Sequence, residues 1–287
     1  MSIEVIPTGA AIGAEIRGVN LAQPLDDATF AAVENAYNTR GVIFFRDQGL
    51  TPSQQVAFTR RFGEIEFNIF GERWSVPGNP EIVVISNITE ENRPVGVRRA
   101  GENWHSDMCY TARPPRGTML YAIEIPELLG LTLGDTEFAS AQAAWEALPD
   151  PIRYRIEGRR AVFDFTGRKR ACPPSQEEFD RNPPVMHPIV RTHPYTGEKW
   201  FPLGSCRAQL SPRGFQRAAN RDKGRIRPGA PRRCWLSSAV IRASTARSRA
   251  STIRSMVAFS SPPPRPDCAT LPQCRRGDRP SSPDTVR

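Results

Sequence analysis

Histidine is scarce in this chain: three residues in 287, at positions 105, 187 and 193. Any chemistry that needs an imidazole, as base or as metal ligand, must be built from these three. No apolar run approaches the roughly 20 residues that a membrane-spanning helix requires. The start, Met1-Ser2-Ile3-Glu4, has no basic-then-apolar leader, so the sequence reads as cytoplasmic. The six cysteines (109, 172, 206, 234, 268 and 274) include no Cys-x-x-Cys pair. That argues against a zinc ribbon or a disulfide framework and leaves incidental thiols of a reducing compartment.

Other absences are confined to one end. After residue 204 the chain has no Glu, no His and no Tyr, while 17 Arg and one Lys face four Asp, a balance of +14. The first 204 residues carry 21 basic and 26 acidic groups, a balance of −5, so the overall +9 averages two unlike compositions. The basic segment includes Arg242-Ala-Ser-Thr-Ala-Arg-Ser-Arg-Ala-Ser-Thr-Ile-Arg254 and Ser260-Ser-Pro-Pro-Pro-Arg-Pro266. No helical or strand period persists there, and the composition is that of a segment unable to bury a core. It is expected to be disordered or out of frame, since Arg, Ser, Pro and Ala in excess are what a shifted frame through GC-rich DNA yields. An Arg-rich arm can also bind nucleic acid. With so few aromatics interleaved (Phe215, Trp235, Phe259), base stacking is poorly served and nucleic acid is not the expected partner.

The earlier part has the patterning of a folded domain. Asp26 is placed to cap a helix reaching about Arg40, with Phe30, Val33 and Tyr37 on one face. Gly41 to Arg46 reads as a buried strand, and Thr51-Pro52-Ser53-Gln54 as a capping box opening a helix to Phe62. Glu81 to Ser86 and Met119 to Ile123 are further buried strands, Asn87 to Glu102 a polar loop, and Ser140 to Leu148 a short helix.

One stretch carries chemistry: Asn103-Trp104-His105-Ser106-Asp107. In extended backbone, residues i and i+2 point to the same side, so the His105 imidazole and the Asp107 carboxylate share one space. Two His and one carboxylate on a triangular face, with other positions open, is the arrangement of non-haem Fe(II) oxygenases. His-x-Asp alone recurs by chance in many proteins, so its surroundings must decide.

Those surroundings are Arg113-Pro114-Pro115, the apolar run from Met119, Glu124-Ile125-Pro126, Gly134-Asp135-Thr136-Glu137-Phe138-Ala139 and Ala144-Trp145-Glu146-Ala147-Leu148-Pro149. Together with Gly41-Val-Ile-Phe-Phe-Arg-Asp-Gln48, Arg61-Phe62-Gly63-Glu64 and the segment from His187 to Gly197, they resemble the TauD/TfdA family of Fe(II)- and 2-oxoglutarate-dependent dioxygenases. The resemblance implies an α+β fold, a double-stranded β-helix (jelly roll) with flanking helices. It implies Fe(II) held by His105 and Asp107, 2-oxoglutarate as cosubstrate with Thr136 as a hydroxyl donor to it, and O2. The reaction implied is hydroxylation of a small organic substrate, with release of succinate and CO2. Trp104 and Asn103 read as packing and orienting residues, and Cys109 as a buried thiol.

The resemblance runs to Lys199 and stops. The late Trp-Asp-Asn-x-x-x-x-His segment and the following arginine, which in the family supply the second metal histidine and the cosubstrate's counter-charge, have no counterpart. His187 and His193 are the other imidazoles, but the family places their segment away from the metal. The chain is therefore read as a partial dioxygenase domain over 1–204, incomplete at its C-terminal end, with a basic tail over 205–287. An impaired enzyme is expected; a scaffold that binds without catalysing is the alternative. The partner is a small molecule and no membrane is involved; self-association is left open. Asn68, Gly71 and Gly101 stand where taurine-specific members carry polar groups, which argues against taurine as substrate.

Overall fold

The computed structural model describes residues 3–66, 72–98, 100–101, 104–133, 135–164 and 176–202, with the backbone of the strand segments 224–225, 234–237, 240–243 and 252–260. The first helix, α1 (Asp27–Arg40), starts as its cap predicts: the Asp26 carboxylate accepts the Thr29 N–H at 2.8 Å. Gly41 ends it in the left-handed region at φ 66°, sending its N–H to the Tyr37 carbonyl. The second helix, α2 (Pro52–Arg60), opens with the full capping box, Thr51 and Gln54 each accepting the other's backbone N–H. It closes two residues earlier than expected, because Arg61 and Phe62 turn tighter and bond to the Phe58 and Thr59 carbonyls.

Nine strands form the main sheet, in the order 4–7, 14–17, 42–45, 234–237, 117–124, 252–260, 79–86 and 75–76, with 64–65 also paired to 252–260. Strand periodicity sorts its residues onto two faces. Ile43, Phe45, Met119 and Tyr121 point to one side, where they pack with Phe30, Val33 and Tyr37 of α1 and Phe58 of α2. Val42, Phe44, Leu120 and Ala122 point to the other and meet Phe138. Phe138 lies on the strand Thr136–Ala139, the centre of a second, three-stranded sheet flanked by 224–225 and 240–243. The main sheet thus has helices on one face and a smaller sheet on the other, an α+β layering that buries both of its faces.

Within residues 205–287, read from sequence as a tail without regular structure, the four described backbone segments pair within the two sheets. Cys234–Ser237 lies between Val42–Phe45 and Gly117–Glu124, and Thr252–Ser260 lies between Gly117–Glu124 and Asn79–Ser86. The physical reason is that ladder bonds are made by main-chain N–H and C=O groups, which every non-proline residue carries. A sheet with open interior positions offers such groups to any extended segment. The segments concerned, Cys-Trp-Leu-Ser and Thr-Ile-Arg-Ser-Met-Val-Ala-Phe-Ser, are among the more apolar parts of the tail.

Candidate functional site

The strand Gly117–Glu124 provides the floor of the site. Thr118 follows the same alternation as Leu120 and Ala122 and so faces the smaller sheet. Its hydroxyl donates to Asp107 Oδ2 at 2.8 Å, while Asp107 Oδ1 lies 3.1 Å from His105 Nε2. The expected pair is therefore brought together, and one carboxylate oxygen is held by Thr118. Directly after Asp107 the chain reverses through Met108 at φ 46°, a conformation that costs a non-glycine residue on the order of 1 kcal/mol. The reversal sends Met108, Cys109 and Tyr110 into a cluster with Ala161 and Phe163. Trp104 packs against the cluster of Ala139 and Ala141, as Trp200 does, which supports its reading as a packing residue.

The donor set fits a divalent metal. Two cis ligands bound at about 2.1 Å, at right angles, lie about 3.0 Å apart; His105 Nε2 and Asp107 Oδ1 are 3.1 Å apart. These two atoms can take neighbouring positions on one iron with little movement, Thr118 orienting the carboxylate as an outer hydrogen-bond partner does. Among the described residues no group of three His, Cys, Asp or Glu side chains forms a metal nest. The third ligand is not found there.

The other two histidines have local duties. His187, on the strand Val185–Pro188, donates from Nε2 to the Thr111 carbonyl at 2.8 Å. His193 accepts the Tyr195 and Thr196 N–H groups at Nδ1 (3.4 and 3.3 Å), closing the turn of the hairpin formed by Arg191–Thr192 and Lys199–Trp200. Burial is the leading cause that lowers both imidazoles from the usual histidine range. Arg191 and Arg160 add to it at His187 against the Thr111 bond, and Arg116 adds to it at His193 against Glu198. Between the unfolded value near 6.5 and the lower folded values, the unfolded chain binds more protons, so stability is lost as pH falls through that window. The urea midpoint is expected to drop as the pH is lowered through and below the unfolded histidine value near 6.5, and the drop should shrink in the double variant His187→Gln, His193→Asn. An unchanged pH slope in that variant would place the titrating groups elsewhere.

A cleft of about 350 Å³ opens beside Asp107, with Thr118, Ser140, Arg191, His193 and Trp200 also among its walls. The 191–200 hairpin, expected to lie away from the metal motif, shares this cleft with Asp107. His193 points its Nδ1 into its own turn, so sharing the cleft does not make it a ligand. Thr136 is buried at the start of its strand, opposite Ala243 in the backbone register, and is not among the described residues that line the cleft. Gly101 takes φ 78°; Asn103, Asn68 and Gly71 lie outside the described residues. Sequence reasoning missed Thr118, Arg191 and Trp200. Thr118 had a usable signal, since it sits on the Leu120 face of a strand beginning at Gly117 rather than Met119. No sequence signal distinguished Arg191 from the other arginines.

Comparison with known proteins places this geometry in context. Residues 4–223 match the model of the "Taurine catabolism dioxygenase TauD, TfdA family". An alpha-ketoglutarate-dependent 2,4-dichlorophenoxyacetate dioxygenase of Cupriavidus pinatubonensis is 31% identical over 217 residues, covering 71% of this chain and 74% of that protein. An alpha-ketoglutarate-dependent sulfate ester dioxygenase of Pseudomonas putida is 30% identical over 215 residues, covering 71% and 67%. The crystal structure of a taurine dioxygenase from Burkholderia xenovorans superposes with a TM-score of 0.68 at 28% identity, covering 91% of this chain and 90% of that one.

Proposed function

The chain belongs to the TauD/TfdA family of Fe(II)- and 2-oxoglutarate-dependent dioxygenases, and from that premise we propose that it hydroxylates a small organic substrate in the cleft beside His105 and Asp107. The observation that carries the reading is the convergence of His105 Nε2 and Asp107 Oδ1 in a direct polar contact of 3.1 Å, a separation that neighbouring ligands on one metal also have. Iron held there would supply the oxygen chemistry, one oxygen atom passing to succinate and the other to the new hydroxyl, with CO2 released from 2-oxoglutarate. The protein's own part is positional. Thr118 fixes the carboxylate, Met108 turns the chain away behind it, and Trp104 and Trp200 pack apolar surface beside the hairpin. The layering of main sheet, smaller sheet and helices supports a jelly roll as the finer description of the fold.

The two relatives act, by their names, on an aryloxyacetate and on sulfate esters. A small organic anion of that kind suits a cleft of about 350 Å³ whose mainly apolar walls carry a few polar and basic groups such as Thr118, Ser140 and Arg191. Turnover in this chain is expected to be weak, because two ligands hold an iron less firmly than three and leave its geometry loose. The assay is succinate formation from 2-oxoglutarate with Fe(II) and O2, run beside a variant in which a family C-terminal segment containing Trp-Asp-Asn…His replaces residues 205–287. Faster turnover by that variant is expected; equal rates would mean that a third ligand is already in place. The same incomplete ligand set favours a second reading, a scaffold that binds the substrate class without oxidising it.

A further inference from the structure

Arg191 and Trp200 face each other across the two-stranded hairpin as register partners, and both line the cleft that holds Asp107. Among the described residues, Arg191 Nε and Nη2 and Trp200 Nε1 are closed off from water and have no hydrogen-bond acceptor. The guanidinium carbon lies 5.8 Å from the centre of the Trp200 ring and 6.0 Å from that of Phe163, so two aromatic faces flank the cation. Arg116, on the same wall, differs: it is engaged by Glu34 and Asn38, each at 2.7 Å. A guanidinium out of water with unused donors is costly unless an anion meets it. Burial accordingly pushes the Arg191 guanidinium down from the usual arginine range, with Cys109 opposing.

We propose that Arg191, with the Trp200 indole N–H beside it, anchors the oxyanion end of a small molecule bound in the cleft, a carboxylate or a sulfate group. The assignment of that molecule to the reaction rests on the dioxygenase reading; the anion site itself does not. Two sources share this chemistry, the substrate's own anionic group and the far carboxylate of 2-oxoglutarate. Arginine suits either, since its planar fork gives parallel bonds to two oxygens.

The test uses the full chain without metal, so that it stands apart from the iron chemistry. Calorimetric titrations would compare phenoxyacetate, methyl sulfate and 2-oxoglutarate with the neutral phenoxyacetamide, in the wild type, Arg191→Gln, Arg191→Lys and Trp200→Phe. Arg191→Gln is expected to weaken anion binding by about 10- to 100-fold and to leave phenoxyacetamide unchanged, with partial retention in Arg191→Lys. Trp200→Phe should cost less. The titration that falls identifies the source: phenoxyacetate or methyl sulfate for the substrate, 2-oxoglutarate for the cosubstrate. Melting temperature separates this role from a structural one. Removing an unpaired buried cation should raise it, and at a fixed concentration the anion that binds should raise it more in the wild type than in Arg191→Gln. If no anion binds the wild type, or Arg191→Gln melts lower with anion affinity intact, the proposal is wrong.

Discussion

His105→Ala and Asp107→Ala are each expected to abolish measurable Fe(II) binding. The described residues supply two ligand atoms, 3.1 Å apart, so either change leaves one. A single imidazole or carboxylate on a half-buried surface competes poorly with water for a divalent ion. Replacing even an outer hydrogen-bond partner of a ligand typically costs 10–100-fold in metal affinity, and loss of a ligand should cost more. Thr118→Val supplies the graded comparison. It keeps the shape of the side chain but removes the hydroxyl that holds Asp107 Oδ2, and should fall within about 10–100-fold. Titration with Fe(II) under anaerobic conditions, or with Co(II) followed by its visible absorption, measures all three. Wild-type titrations in both alanine variants would remove the metal site from this position.

Ending the chain after residue 204 is expected to cost the protein its soluble fold. Gly117–Glu124 is paired on one side by Cys234–Ser237 and on the other by Thr252–Ser260, so the cut would leave the strand that carries Thr118 with two open edges. It would also open one edge each of Val42–Phe45 and Asn79–Ser86. Buried main-chain groups left unpaired each cost on the order of 1–3 kcal/mol, which several residues would multiply past the usual 5–15 kcal/mol of domain stability. Exposed strand edges beside apolar faces also favour aggregation. The soluble yield, far-UV circular dichroism and sedimentation of the shortened chain provide the measurement. A monomer with a cooperative melt would show that residues 205–287 have no place in the sheets.

What the sequence determined by itself is local. Asp26 and the Thr51–Gln54 box set helix starts because capping needs only a side chain and a backbone N–H within one turn. The strand at Val42–Phe45 was legible from its apolar run. The shared space of His105 and Asp107 follows from the two-residue spacing of extended backbone. What the tertiary structure alone decided is which distant groups meet. Thr118 reaches Asp107 across an 11-residue separation only because Gly117–Glu124 sits where the two sheets face each other. Arg191 and Trp200 become one donor-rich wall only because the hairpin pairs them and a cleft opens before them. The tail obeys the same division. Its composition reports what side chains can bury, whereas its place between strands depends on main-chain groups that carry no sequence signature and on gaps formed by residues more than a hundred positions away.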